Sequence, residues 1–391
     1  MPHQTSIPTH SRFVRSAFLV FLCSLCFYVV EIHAQEFKTL KDGIEYAEVT
    51  KEISGLKVNM NLLRLDLKKV RLDVHHALDA AIGTEKTSSI ATRHGAFAAI
   101  NAGFFRLDTS IWAGDAVGIL MIDGKLLSES SQDRTVLKIS NVPETSVEIV
   151  APKTKIFFRQ GTREIEISGI NRELKNDELV LFKPEFQRTT LTGFDVKEVA
   201  IEKGEVVHMS ASGNTLIPSA GVVLSASGAR RTDLLALKIG DKVTLGERFE
   251  PVPGRTNGPM FLVRTVEDMV TGVPQLIKDA KIDITWEQEK SSKSFVETRH
   301  PRTAVAKLKD GKFLMITVDG RSELSGGIGL QDLAEYLLEL GATDAMNLDG
   351  GGSTTMFVDG KVVNHPSDKE GERKVSDALL VTLRTPAKIK K

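Results

Sequence analysis

The chain has 391 residues with 51 basic and 51 acidic side chains, so its formal net charge is zero. A neutral chain has no global field that would attract nucleic acid or an acidic membrane surface, and neither is expected as a partner. Aromatic residues make up only 6% of the chain, which argues against a wide sugar-stacking platform and favours a small pocket.

The N-terminus has the pattern of a secretory signal peptide. Arg12 and Arg15 precede an apolar run from residue 17 to residue 30, and Ala34 offers a cleavage point before Gln35. We predict a signal peptide over 1–34 and an exported, periplasmic or secreted bacterial protein with no stable membrane insertion after cleavage. The alternative is an uncleaved anchor. Both cysteines lie within this segment, so the mature chain would depend on its core and not on disulfides.

Residues 35–95 form an N-terminal strand-rich region in this interpretation. Residues 58–67 alternate apolar with polar side chains, as a half-buried antiparallel strand does. Residues 84–94 are predicted to form a helix capped by Thr84. His75 and His76 are interpreted as surface residues and not as a metal site, because no carboxylate or third histidine follows at ligand spacing.

Residues 96–391 are predicted to be a second domain. The apolar run 97–100 is expected to be a buried strand that delivers Asn101 at its end. Asn101 is predicted to contact a ligand, and a buried amide that satisfies its own turn is the alternative.

The C-terminal third predicts a strand, a helix and a second strand. Residues 313–318 are almost wholly apolar and are followed by Asp319 and Arg321, and residues 345–348 lead into Asp349. Between them, apolar residues recur at helical spacing from Leu330 to Leu338. This predicts a βαβ unit with parallel strands, and if the strands are neighbours both carboxylates lie at one sheet edge. The expected fold class is α+β: mixed, strand-rich sheets with this βαβ unit and helices packed on the sheet.

The glycine-rich stretch after the second strand is the most distinctive motif. Asn347, Asp349 and Ser353 surround three consecutive glycines, 350–352. Glycines permit positive φ and close approach of the backbone to a ligand, and their N–H groups can form an anion-binding nest. The alternative is a flexible hairpin corner. Ser353 is interpreted as a ligand-binding or turn hydroxyl, because no nucleophile elbow surrounds it.

Five motifs in this chain resemble those of the phosphodiester glycosidase family. They are Asn347 to Met356, together with 100–105, 300–304, 318–321 and 363–368, and the resemblance extends over about residues 96–385. It implies an exported hydrolase that cleaves the sugar C1–O bond of a glycosyl-1-phosphodiester in an envelope or extracellular glycan, with N-acetylglucosamine as the suggested sugar. Two alternatives remain open: a metal-dependent phosphodiesterase that cleaves P–O, and a non-catalytic glycan-binding protein.

The resemblance also implies which residues form the site. Carboxylates support the positive charge that develops on the sugar, and arginine matches the departing phosphate. Asp319, Asp349 and Arg321 are the predicted catalytic residues. The predicted substrate-binding residues are Asn101, His300, Arg302, Asn347, Gly351, Gly352, Ser353, Asn364, Asp368 and Arg373. Lys374 stands where family members usually have proline, which puts the shape of that loop in doubt. No cofactor is predicted, and the paired carboxylates leave open a divalent cation.

Overall fold

A computed structural model describes residues 36–255 and 266–384, together with Met1. The predicted signal peptide, 1–34, and the predicted cleavage point before Gln35 lie outside the described residues. From Glu36 onward the chain forms one compact unit. Strands from its first described residues share sheets with strands near its C-terminus.

The largest sheet has eight strands, and every pair in it is antiparallel. Its strands are β1 (Lys38–Lys41), β2 (Ile44–Ile53), β3 (Leu56–Leu65), β20 (Gln275–Lys278), β21 (Lys281–Ile282), β22 (Arg302–Leu308), β23 (Phe313–Val318) and β24 (Ala342–Asn347). Their order in the sheet is β1-β2-β3-β23-β22-β24-β20-β21. The predicted strand over 58–67 corresponds to β3.

A five-stranded sheet shares a core with one face of the large sheet. Its strands are β4 (Val70–His76), β6 (Ala98–Asn101), β25 (Met356–Val358), β26 (Lys361–Val362) and β28 (Asp377–Leu383), in the order β26-β25-β6-β28-β4. Leu63, Met315 and Met346 of the large sheet and Ile100 and Leu379 of the smaller one belong to this core and are fully buried. A two-stranded sheet pairs β5 (Glu85–Lys86) with β27 (Lys374–Val375).

The middle of the chain adds three further sheets around a second apolar core. The first contains β7 (Leu120–Ile122), β8 (Lys125–Ser128), β9 (Val136–Ser140), β10 (Ser146–Val150) and β19 (Asp268–Thr271). The second contains β11 (Pro152–Gln160), β12 (Arg163–Ile167) and β18 (Thr244–Pro251). The third contains β13 (Gly169–Ile170), β14 (Leu179–Phe182), β15 (Val196–Glu202), β16 (Glu205–Ser210) and β17 (Gly221–Ser227).

The described α-helices are few and short, so the fold is mostly β and the predicted α+β class holds only in part. They are α1 (Thr87–Arg93), α2 (Thr232–Leu235), α3 (Lys293–Glu297) and α4 (Leu330–Glu339). Three short 3-10 helices span Ala77–Asp79, Gly228–Arg231 and Gly351–Ser353. The predicted helix over 84–94 begins only at Thr87, and Lys86 precedes it. Among the described residues, no helix is long and apolar enough to cross a membrane.

The helix α4 is confirmed, but the predicted βαβ unit is not formed by neighbouring strands. Strands β23 and β24 run in the same direction because each is antiparallel to β22, which lies between them. The reason is local: β22 directly precedes β23 and pairs with it as a hairpin, so only the far edge of β22 is left for β24. The apolar face of α4 packs on the large sheet opposite the shared core.

This arrangement still collects strand ends at one edge. Because β22 is antiparallel to both neighbours, its start lies beside the ends of β23 and β24. In the smaller sheet, the end of β6 lies beside the starts of β25 and β28. Polar side chains follow or precede all of these strands at the same end of the molecule.

Candidate functional site

Asp319 follows β23 and is held firmly by its neighbours. Its carboxylate is buried, and Oδ1 accepts hydrogen bonds from the His365 backbone N–H (3.0 Å) and from Nδ2 of Asn364 (3.3 Å). Its other oxygen lies 3.2 Å from Nδ1 of His365. Burial raises the pKa of Asp319, while the hydrogen bonds from His365 and Asn364 act in the opposite direction. The result is a fixed carboxylate in contact with an exposed imidazole.

Asp349 follows β24 and lies in a more crowded position. It is half-buried, its Oδ1 accepts the N–H of Gly350 (2.9 Å), and its backbone carbonyl accepts Nδ2 of Asn101 (2.7 Å). Burial raises its pKa to about 6 against the opposing effects of the Ser353 hydroxyl, the Gly350 N–H and Arg373. At neutral pH the carboxyl is therefore mostly ionised, but its pKa lies close to that pH.

The glycine-rich stretch forms a tight turn and not a hairpin corner. Gly351 has φ +60°, and its N–H donates to the carbonyl of Pro301 (2.9 Å). A Cβ placed on Gly351 would lie 3.0 Å from Nη2 of Arg321. A Cβ on Gly352 would overlap the side chains of Arg373 and Asp368. The glycines therefore allow two arginines to approach the backbone beside Asp349.

Arg321 is the arginine whose head group lies open at the site. It is exposed and has φ +60°. Its nearest polar neighbours are Nδ1 of His300 and Oγ of Ser367, both at 3.5 Å. Within the described part of the chain, no carboxylate lies within ion-pair distance of it, and Arg321 and Asp319 form no ion pair. Burial lowers the pKa of His300, as do the charges of Arg302 and Arg321.

Arg373 is engaged in a two-point ion pair. Its Nε donates to Oδ2 of Asp368 at 2.7 Å and its Nη2 to Oδ1 at 3.0 Å. Both side chains are partly exposed and border Gly352. The pair therefore forms a fixed wall beside the glycine turn.

Arg302 is placed differently from the expectation. Its side chain is 1% exposed, and it donates to the carbonyls of Phe295 (2.7 Å), Thr298 (2.9 Å) and Ile328 (3.3 Å). Its guanidinium also stacks over the Phe295 ring, and burial lowers its pKa to about 10. A guanidinium bound to three carbonyls and closed off from solvent cannot contact phosphate without leaving them, so we assign Arg302 a structural role.

Three buried amides form hydrogen bonds with the loops around the site. Asn101 accepts from the Thr303 hydroxyl (2.7 Å) and from the backbone N–H of Thr355 (3.1 Å). Asn347 donates to the carbonyls of Val273 and Leu348 at 2.7 and 2.8 Å. Asn101 and Asn347 are fully buried. The amides therefore bond to the protein itself, except that Oδ1 of Asn347 is buried and has no hydrogen-bond partner among the described residues.

The third amide belongs to Asn364, which is also buried. It accepts from the backbone N–H of Met356 (2.7 Å) and donates to the carbonyl of Thr354 (3.0 Å) as well as to Asp319. It therefore joins the strand after the glycine turn to the first carboxylate.

Three residues near the site escaped the sequence analysis. Asp377 begins β28, is almost fully buried and accepts the N–H of Gly103 (2.5 Å); its charge helps to raise the pKa of Asp349. His365 contacts Asp319. Tyr46 donates to Asn61 (2.5 Å), and burial, with Glu48 and Asp319, raises its pKa to about 12. Asp377 could have been identified from the sequence, because it is an acid directly before an apolar strand. No local sequence pattern identifies Tyr46.

Comparison with known proteins confirms the family resemblance. Residues 196–382 match the model of the phosphodiester glycosidase family. The chain is 31% identical over 170 residues to the N-acetylglucosamine-1-phosphodiester alpha-N-acetylglucosaminidase of Bos taurus, covering 43% of this chain and 31% of the relative. Protein YomE of Bacillus subtilis is 42% identical over 87 residues, covering 22% of this chain and 13% of that protein. The chain thus spans at most 31% of the length of these relatives.

Two solved structures share the fold. A hypothetical protein from Synechocystis has a TM-score of 0.76 at 19% identity, over 90% of this chain and 64% of that one. A protein from Burkholderia pseudomallei K96243 has a TM-score of 0.73 at 24% identity, over 84% of this chain and 75% of that one. At these identities the likeness concerns the fold alone.

Proposed function

We propose that this chain, whose residues 196–382 match the model of the phosphodiester glycosidase family, is a hydrolase that cleaves the sugar C1–O bond of a glycosyl-1-phosphodiester. The observation that carries the proposal is that Asp349 and Arg321 border one glycine turn: the Asp349 carboxylate accepts the N–H of Gly350, and the Arg321 head group lies beside Gly351. A sugar ring beside the carboxylate would have its phosphate beside the guanidinium. The name of the bovine relative, which specifies a phosphodiester of N-acetylglucosamine, supports the substrate class.

Asp349 is the proposed partner of the sugar. Cleavage of the C1–O bond leaves positive charge on the ring, and an ionised carboxylate stabilises that charge or attacks C1. The half-buried position of Asp349 favours such a role, because electrostatic stabilisation is stronger where water is scarce. Its carbonyl is fixed by Asn101, which limits the movement of the turn.

The phosphate is the proposed ligand of Arg321, with His300 beside it. Arginine stays charged and offers paired donors to phosphate oxygens. The head group of Arg321 is exposed and is not engaged by a carboxylate of the described chain, so its donors face the site. The Arg373–Asp368 pair borders the same turn and is proposed to shape the pocket wall.

Asp319 and His365 are proposed to act as a pair. The buried carboxylate lies 3.2 Å from Nδ1 of His365, whose side chain is 74% exposed. A carboxylate in this position orients the imidazole through its contact with Nδ1. The imidazole would then donate to the departing phosphate or protonate it. Phosphate is a good leaving group, so this step needs a weaker general acid than the corresponding step of an ordinary glycosidase.

Export is the proposed setting. The support is the signal-peptide pattern around Arg12 and Arg15 and the apolar run that follows. We therefore propose an envelope or extracellular glycan as the physiological source of the phosphodiester, with N-acetylglucosamine as its sugar.

The decisive experiment is hydrolysis of an N-acetylglucosamine-1-phosphodiester by the purified protein in 18O-labelled water. The proposal requires the heavy oxygen on the sugar, with a chelator leaving the rate unchanged. Label on the phosphate, together with loss of rate in chelator, would instead establish a metal-dependent phosphodiesterase. Binding without turnover would establish a glycan-binding protein. The Asp349→Asn variant is the matched control for contaminating activity.

A further inference from the structure

Two histidines and an aspartate meet outside the site described above. His75 lies near the end of β4, Asp79 in the 3-10 helix that follows, and His94 directly after α1. The imidazole rings of His75 and His94 are stacked with centroids 3.7 Å apart. One ring nitrogen from each histidine and one oxygen of Asp79 all lie within 4.8 Å of one another.

The structure differs here from the expectation that His75 and His76 are plain surface residues. His76 is buried and bonded to the carbonyls of Ala77 and Gly114. His75 lies instead with Asp79 and His94, which the sequence analysis did not connect with it. His94 is 19 positions after His75. No local spacing rule finds it, because His94 follows α1, which packs on β6, β25 and β28 and returns the chain to the end of β4.

A cation already occupies part of this cluster. The Arg93 guanidinium contacts Asp79 and lies 3.0 Å from Nε2 of His94, which is itself 2.9 Å from Asp79. Arg93 also pairs with Glu85 at 2.8 Å. The cluster therefore attracts positive charge, and Arg93 retains Glu85 as a partner if another cation takes its place at Asp79.

The cluster opens into a cavity of about 290 Å³. Asp123, Lys125 and Glu185 are further charged residues that line that cavity. A cation held by three side chains at its edge would keep coordination positions open to water or a small ligand. Lys125 pairs with Glu185 at 2.6 Å, which leaves Asp123 as the additional acid facing the cavity.

We propose that His75, Asp79 and His94 form a binding site for a divalent transition-metal ion of the zinc class. Imidazole nitrogen suits zinc, cobalt, nickel and copper, whereas calcium and magnesium prefer all-oxygen ligands. Three protein ligands with an open fourth position is a common arrangement for zinc. The bound ion would tie the end of α1 to the end of β4. This proposal is independent of the hydrolase function.

Titration of the untagged protein with Zn²⁺ and with Co²⁺ tests the site. We expect saturable one-to-one binding, a raised Tm, and visible absorption of bound Co²⁺. His94→Gln and Asp79→Asn each remove one ligand, so Kd should rise at least about tenfold, which is the scale of loss seen even for outer-shell partners. Asp79 has positive φ, a conformation that asparagine tolerates, so the second variant should fold normally.

Two matched histidine variants control for binding elsewhere. His208→Gln removes an exposed histidine on β16, and His365→Gln removes the histidine beside Asp319; both should bind the metal with unchanged Kd. Arg93→Gln removes the competing guanidinium and should lower Kd. The proposal fails if no metal binds, if His94→Gln and Asp79→Asn bind as tightly as the unaltered protein, or if His365→Gln abolishes binding.

Discussion

Asp349 carries the sharpest prediction at the scale of single residues. Asp349→Asn keeps the shape of the side chain and removes its charge, so kcat should fall by a factor on the order of 10² to 10⁴. In the unaltered protein kcat/KM should rise as pH increases through about 6, where Asp349 ionises. Asp359→Asn, in an exposed turn, is the control and should keep full activity. Full activity in Asp349→Asn would refute the assignment.

The same substitution has a predicted effect on stability. The carboxyl has a pKa of about 6 in the fold against an ordinary value of 3.8, so the folded state binds more protons between these values and stability falls as pH rises through them. Asp349→Asn removes this cost and should raise Tm at neutral pH. The difference should vanish below pH 3.8, where the carboxyl is protonated in both states. Melting curves at several pH values test this, and a lower Tm at neutral pH contradicts it.

Arg302 and Arg321 both lie in motifs of the family, but substitution of the first should affect stability and substitution of the second should affect kinetics. Arg302→Leu leaves three carbonyls without their donor and should cost about 2–4 kcal/mol of unfolding free energy. Arg321→Lys should leave Tm unchanged but reduce kcat/KM by roughly 10- to 100-fold, the value of hydrogen bonds to a charged group. Arg188→Lys, an exposed position, is the control. Unchanged kinetics in Arg321→Lys would exclude it from phosphate binding.

At the scale of elements, the glycine turn is predicted to shape the pocket through its missing side chains. Gly352→Ala would push a methyl group into the Arg373–Asp368 pair and should lower turnover with little change in Tm. Gly193→Ala is the matched control, because nothing lies near the added Cβ there and its φ is not positive. Steady-state kinetics on both variants is the measurement. Equal activity would mean that the pair does not border the substrate.

The elements also show what the sequence could and could not predict. Apolar spacing from Leu330 to Leu338 was enough for α4, and a continuous apolar run was enough for β23, because both patterns are local. The place of β22 between β23 and β24 was not predictable, since pairing depends on which edge is free after the hairpin forms. Asp319 and Asp349 follow strands that run in the same direction on either side of β22, although the prediction assumed that these strands were direct neighbours.

Burial separates several of the predicted site residues from solvent. Asn101, Asn347 and Arg302 stand in motifs of the family, and motifs do not distinguish a residue that contacts substrate from one that holds the loop in place. Only the coordinates show that all three are almost fully closed off from solvent. His365 lay inside one of the same motifs, yet its exposed imidazole and its contact with Asp319 had no distinguishing mark in the sequence.

At the scale of the whole molecule, the N-terminal strands are predicted to be indispensable. Strand β3 pairs with β23 along its length, and β4 pairs with β28. A chain that begins at residue 96 would lose both pairings and expose the faces of two sheets, so it should show no cooperative melting transition. A chain that begins at Glu36 is the control. Cooperative melting of the shorter chain would establish residues 96–391 as an independent domain.

The position of β28 has a consequence for synthesis. This strand is among the last described residues, yet it lies inside its sheet, between β6 and β4. Strand β28 must therefore emerge from the ribosome before β6, made more than 280 residues earlier than residue 383, can pair with it. Until then the nascent chain has no closed sheet on that side, and such long-range pairing is intrinsically slow. A polypeptide built this way can complete this sheet only after its last described strand has been made.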